Sequence, residues 1–180
     1  MILLALGVAV ILVGIDRLTK WLAIVYIGEN NSIPVIKIGE NEIINLTYCE
    51  NTGAAFSILE GQRGILIAIS SIFLVGALVV LFSGKVKSKL IIWSISLIIA
   101  GGVGNLIDRI ADGYVVDFID LKFIGFAIFN FADICAVTGA CMLFFAVLRD
   151  EIREYKARKA CSVDDVEGDD PVTPEIIEND

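Results

Sequence analysis

The sequence predicts an all-α membrane protein: four transmembrane helices, a small extracytoplasmic β-sheet and a short interfacial helix. Three observations carry that prediction. Of 180 residues, 57% are hydrophobic, whereas soluble domains sit nearer about 45–50%. The apolar residues gather in long runs rather than alternating with polar ones, which marks lipid as the solvent. Between the first two runs lies a stretch of a different kind, β-branched and broken by turn residues.

The first run, Ile2–Tyr26, has no basic region before it, and apolar character continues past Asp16, Arg17 and Lys20 to Ile27. A retained helix fits this pattern better than a cleaved signal. In the loop Gly28–Arg63, the residues Ile33, Val35, Ile36 and Ile38, then Ile43, Ile44 and Leu46, form two β-like runs around Gly39-Glu40-Asn41. They predict a strand or hairpin on the membrane surface. After Asn51-Thr52-Gly53, the apolar piece Ala54–Leu59 predicts the interfacial helix. The runs Gly64–Phe82, Leu90–Ile107 and Phe131–Leu148 complete the four spans. Each is close to the roughly 20 residues a crossing needs.

Basic residues set the expected orientation. Lys85, Lys87 and Lys89 surround the short loop Ser83–Ser88, and Arg149, Arg153, Lys156, Arg158 and Lys159 follow the fourth run. Both sites are expected in the cytoplasm. Four crossings then put both termini there, and place the loops 28–63 and 109–130 outside. Residues 1–160 are expected to form one transmembrane domain. The tail 161–180 is acidic, contains Pro171 and Pro174 and has no periodic apolar face, which predicts disorder. About half the acids behind the net charge of −8 follow Arg149, so the membrane part is nearly balanced.

Composition removes several chemistries. There is no histidine, so Ser-His-Asp and Cys-His catalysis, histidine-ligated metals and imidazole switching drop out. No basic patch with interleaved aromatics supports nucleic-acid binding. The cysteines Cys49, Cys135, Cys141 and Cys161 form no C-x-x-C pair. Cys135 and Cys141 read as small hydrophobes, and Cys49 has only Glu50 nearby as a base. No metal-ligand cluster is visible, and no cofactor is expected.

Polar residues in the apolar runs carry the functional signal, because an ionisable group in a bilayer costs about 2.5–3.5 kcal/mol on insertion scales. Asp16 and Lys20 are four apart, acid first, the favourable order for a helical pair. They read either as a self-neutralising pair that fixes the helix or as substrate ligands. Asn105, Asp108 and Arg109 share a face near the end of the third run, after Gly101, Gly102 and Gly104, which permit close helix approach. Arg109 is suited to hold a carboxylate through two hydrogen bonds; the other reading is a polar clamp for the following loop. Asp117, behind Val115-Val116 and before Phe118, is expected to be desolvated, which favours its neutral form. Asn130 and Asp133 have the spacing of a helix cap and its third residue, and Asp133 joins Asp117 near the outer face.

Two carboxylates at one site can share a proton and divide acid and base work. One takes a proton from a water that attacks a carbonyl; the other donates to the carbonyl oxygen and then to the leaving amine. This chemistry suits a chain without histidine. A proton channel or transporter is an alternative, since paired acids also make relays, but it calls for acids spread through the bilayer depth. A non-catalytic scaffold is the other.

Five segments together resemble the lipoprotein signal peptidases, or signal peptidase II. They are Asp16-Arg17-Leu18-Thr19-Lys20, Asn51-Thr52-Gly53-Ala54-Ala55-Phe56-Ser57, Gly104-Asn105-Leu106-Ile107-Asp108-Arg109, Val115-Val116-Asp117-Phe118 and Phe129-Asn130-Phe131-Ala132-Asp133. The resemblance implies a monomeric bacterial aspartyl peptidase of the cytoplasmic (inner) membrane. Such an enzyme cuts diacylglyceryl-modified prolipoproteins before the lipidated cysteine, beside membrane lipids, and is inhibited by globomycin. It implies that Asp117 and Asp133 are the catalytic dyad. Asn51, Gly53, Asn105, Asp108, Arg109 and Asn130 would shape the site, with Asp16 and Lys20 helping to hold it. It also implies that the surface strands form a β-cradle. Asp120 is the rival for the first catalytic place, the 117-to-133 connection is short, and the acidic tail lies outside the family pattern.

Overall fold

The computed structural model describes residues 1–29, 31–54 and 58–167. Its elements run α1 (Ile2–Tyr26), β1 (Ser32–Ile38), β2 (Asn41–Asn51), α2 (Arg63–Phe82), α3 (Lys89–Ala111), β3 (Val115–Leu121), a single 3-10 turn at Lys122–Ile124, and α4 (Phe131–Glu167). Among the described residues, four helices are long and apolar enough to cross a membrane. At 1.5 Å per residue, the 25 residues of α1 reach about 37 Å, more than the hydrocarbon thickness of about 30 Å. The chain divides into two compact units, Met1–Leu143 and Phe144–Asp180.

In the first unit the helices meet through small residues. A Cβ on Gly101 of α3 would collide with the Ala132 carbonyl and come within 2.7 Å of the Ala136 backbone nitrogen. On Gly139 of α4 it would lie 2.7 Å from the Ser94 carbonyl oxygen and 2.8 Å from the Ile98 nitrogen. Two glycines, one from each helix, thus let the backbones of α3 and α4 touch. On another face of α3, Gly102 accommodates Leu74 of α2. Leu74, Leu81, Ile92, Ile95 and Ile99 then enclose Ala5 of α1 in an apolar core. The opposite faces of α1 and α2 expose large apolar side chains, Leu3 to 80% and Ile72 to 73%. Only a lipid surround makes such surface favourable.

The sheet is antiparallel in the order β1-β2-β3. Gly39 turns the first hairpin with φ +61°, in the Gly39-Glu40-Asn41 break that the sequence indicates. β2 runs past Leu46 to Asn51 and pairs with β3, a third strand that the sequence reading missed. Val116 and Phe118 of β3 pack on Ala23 and Ile27, which seats the sheet on the end of α1.

Three boundaries differ from expectation. α3 continues four residues beyond Ile107 and ends where Gly113, at φ +90°, turns its N–H back onto the Asp108 carbonyl. In the second unit, α4 continues past Leu148 through Glu167, across Ser162 where disorder was expected. Helix-forming Glu and Arg residues carry it, and Glu154 pairs with Arg158 one turn on, at 3.5 Å. The rest of the acidic tail lies outside the described residues. The expected interfacial helix, Ala54–Leu59, falls half on residues 55–57, also outside them. Of the others, Ala54 sits in a bend, Ile58 and Leu59 in a turn, and the Ala54 N–H donates to the Ile58 carbonyl at 2.7 Å.

Candidate active site

Asp117 sits in the middle of β3, a strand buried along most of its length. Alternation places it on the face of Val115 and Leu121, opposite Val116, Phe118 and Asp120. Val115, Asp117 and Leu121 line a cavity of about 510 Å³. Its polar side is completed by Asn51, Asn105, Arg109 and Asp133. Ile124, Phe126, Ile128, Ile134 and Val137 form its apolar side.

The outer edge of β3 accounts for the meeting of residues from four parts of the chain. Ile119 and Phe129 exchange backbone hydrogen bonds at 2.8 and 3.1 Å, so the last residues before α4 lie along the strand. Asn130 follows at once. Its Oδ1 accepts from the Asp133 N–H at 3.0 Å, and its own N–H donates to Asp133 Oδ2 at 3.1 Å. This reciprocal cap starts α4 and turns Asp133 into the cavity, so the helix-start reading and the site reading of Asp133 both hold.

Side-chain amides tie the two carboxyls together. Asp117 Oδ2 accepts from Asn51 Nδ2 at 2.9 Å, and Oδ1 from Asn130 Nδ2 at 2.6 Å. Asp133 Oδ1 accepts from Asn105 Nδ2 at 2.7 Å. Asn130 Nδ2 also reaches Asn105 Oδ1 at 3.1 Å. Burial pushes the Asp117 carboxyl up to about 6; the Asn51 amide opposes this, nearby Asp133 adds to it, and the Asn130 amide and the Lys20 charge oppose it. That is the direction expected for a carboxylate behind an apolar run.

Behind this layer lies a buried charge cluster. Lys20 Nζ is 2.9 Å from Asp16 Oδ2, 2.7 Å from Asp108 Oδ2 and 2.9 Å from Asn105 Oδ1. Asp108 also pairs with Arg17. Asp16 Oδ1 accepts from the Ala132 N–H at 2.9 Å, joining α1 to the start of α4, where the helix dipole favours an anion. Gly104 makes the space, since a Cβ there would approach Asp16 Oδ2 to 2.6 Å. Asp16, Lys20 and Asp108 therefore stand one layer behind the cavity.

Of the two readings of Arg109, the geometry fits the clamp: it pairs with no carboxylate among the described residues, and Nη2 donates to the Gly53 carbonyl at 2.9 Å and Nη1 to that of Asn105 at 3.5 Å. The guanidinium thereby clamps the loop after β2, and Gly53 acts through its backbone. Asp120 is excluded from the first carboxylate place. It faces away from the cavity, accepting from Thr47 Oγ1 at 2.9 Å and pairing with Lys122 at 2.8 Å. Cys49 pairs in register with Asp117. Burial and then the Asp117 charge push its thiol up, away from the thiolate a nucleophile requires. Two residues escaped the sequence reading. Arg17 lay inside a quoted motif without a role. Arg63, which holds the carbonyls of Arg109 and Ile110 at 2.7 and 2.9 Å, had no signal.

A family model described as signal peptidase (SPase) II matches residues 8–149. The lipoprotein signal peptidase of Streptococcus pneumoniae is 38% identical, covering 81% of this chain and 92% of that one. That of Clostridium acetobutylicum is 39% identical, covering 83% and 98%. That of Caldicellulosiruptor bescii is 41% identical, covering 81% and 91%. Two structures of a bacterial membrane enzyme obtained by the in meso method, each 33% identical, superpose with TM-scores of 0.75 and 0.72. The first covers 82% of this chain and 88% of its own, the second 81% and 93%. These likenesses favour a peptidase over the channel and scaffold alternatives.

Proposed function

The chain belongs to the signal peptidase II family, and from that premise we propose that Asp117 and Asp133 are the catalytic dyad of an endopeptidase for diacylglyceryl-modified prolipoproteins. The observation that carries this reading is the double link of Asn130. Its amide binds the Asp117 carboxyl at 2.6 Å while its backbone and side-chain oxygen cap Asp133, at one cavity.

The hydrolysis follows from the two carboxyls. The ionised member takes a proton from water as the oxygen attacks the scissile carbonyl carbon. The protonated member gives its proton to the carbonyl oxygen. The tetrahedral gem-diol collapses as the C–N bond breaks: the amine takes a proton from one carboxyl, and a diol hydroxyl returns its proton to the other, restoring the singly protonated pair. Burial favours Asp117 as holder of the shared proton, although titration belongs to the pair. The extended substrate lies between the polar side of the cavity and the wall formed by Ile124, Phe126 and Ile128, and is cut before the lipidated cysteine. Its lipid anchor stays in the bilayer beside exposed Phe123 and Ile124.

The same reading makes the protein a monomer of the bacterial cytoplasmic membrane, in one transmembrane domain of residues 1–160. Both termini are cytoplasmic and the cavity lies at the outer face, where globomycin competes with substrate. Asp117→Asn and Asp133→Asn are each expected to abolish cleavage of lipidated precursor by purified enzyme in a gel-shift assay. Full turnover by either variant overturns the dyad.

A further inference from the structure

We propose that Lys20 is a positioning residue for the Asp133 carboxylate and acts through the side-chain amide of Asn105; the inference rests on the dyad reading above. An asparagine amide has two ends of nearly equal shape, one donating and one accepting, so its neighbours decide which way it faces. Three asparagines surround the dyad. Asn51 is oriented by the Gly53 N–H, which donates to its Oδ1 at 2.9 Å. Asn130 is oriented by the Asp133 N–H. Both of those donors are backbone, beyond the reach of side-chain substitution.

Asn105 is different. Its Oδ1 receives the Lys20 ammonium at 2.9 Å, with the Asn130 amide as a second, longer donor at 3.1 Å. Lys20 is 1% exposed, and an ammonium has three donors and no acceptor. Two go to Asp16 and Asp108; the third goes to the amide. A reversed Asn105 would set its NH2 against an ammonium and its oxygen against Asp133 Oδ1, repelled at both ends. Lys20 therefore locks the Asn105 NH2 onto Asp133 Oδ1 at 2.7 Å. The Asn130 N–H holds the other oxygen, at 3.1 Å. The carboxyl plane is thus fixed before substrate arrives, and such preorganisation acts on the chemical step.

Replacing Lys20 alone would leave the buried Asp16 carboxylate without a cation, whereas Asp108 keeps Arg17, so the test uses Lys20→Met/Asp16→Asn, which leaves the Arg17–Asp108 pair intact. With lipidated prolipoprotein as substrate and folding checked by thermal unfolding in detergent, kcat is expected to fall about tenfold or more, with KM within about twofold. Adding Asn105→Leu should cost little more, because the two changes break one linkage; fully additive losses, or an unchanged kcat, overturn the proposal. Should the paired variant not fold, Asn105→Asp decides. It keeps an oxygen for Lys20 and replaces the N–H toward Asp133 by a carboxyl oxygen that adds charge beside the dyad; a wild-type kcat for it refutes the inference. Asp133→Asn runs alongside. If it still turns over, the dyad itself falls; if it is dead while the Lys20 variants are normal, only the role of Lys20 falls.

Discussion

Asp117 is one carboxyl in a strand whose neighbours Val115, Val116 and Phe118 are all buried. Its ionised form is therefore held at a cost. The rise from the ordinary 3.8 to about 6 corresponds to about 3 kcal/mol at about 1.4 kcal/mol per pH unit. A raised carboxyl means that the folded state binds the proton more tightly than the unfolded one, so stability falls as pH rises between these values. Asp117→Asn removes that dependence. The unfolding temperature of the variant relative to wild type should rise from pH 4 to pH 8; a constant difference would show that Asp117 titrates normally. The desolvation was legible because Val115-Val116 precedes the acid. The amide orientations were not, since the bonds Asn51–Asp117, Asn105–Asp133, Asn105–Asn130 and Asn130–Asp117 span 66, 28, 25 and 13 residues. For Arg109 the sequence left a carboxylate ligand and a loop clamp both open, and the loop it clamps was not legible because the carbonyl it binds lies 56 residues away.

At the scale of elements, the four spans and their starts were legible to within a residue because a bilayer demands uninterrupted apolar length, whereas the ends of α3 and α4 were not. The sequence expectation of Ile2–Tyr26 coincides with α1. β3 was not legible. Both its faces are covered, so the alternation that betrays a strand is absent from Val115–Leu121, and its edge partner is a single residue, Phe129. The glycines of α3 were read as permitting close approach, and the contacts turn that reading into a prediction. Gly101→Ala would press a methyl group against the backbone of Ala132 and Ala136, next to Asp133. Overpacking of this kind costs about 1–3 kcal/mol, and it separates Asn105 on α3 from Asp133 on α4. The variant should unfold at lower temperature and lose most of its turnover. Gly76→Ala, with nothing within 4 Å of the added methyl, should leave both unchanged. Equal behaviour of the two variants would mean that α3 and α4 are not in backbone contact.

For the whole molecule, the question is which way the site faces. Two strands of the sheet lie between the end of α1 and the start of α2 and the third between α3 and α4, each one crossing away from the loop that joins α2 to α3. That loop carries Lys85 and Lys87, with Lys89 opening α3. Short basic loops favour the cytoplasmic side, and the proposed orientation puts the turn at Gly39-Glu40, the sheet and the cavity outside. Trp21 and Tyr26, both exposed near the sheet end of α1, suit an interface there, because amphipathic rings gather at the headgroup level. Single cysteines in an otherwise cysteine-free protein separate the two faces. Glu40 and Lys87 are both exposed, so labelling reports the side and not burial. Glu40→Cys should react with a membrane-impermeant maleimide in intact cells. Lys87→Cys should react only once the membrane is opened. The reverse pattern would put Asp117 and Asp133 on the cytoplasmic side and overturn the proposed orientation.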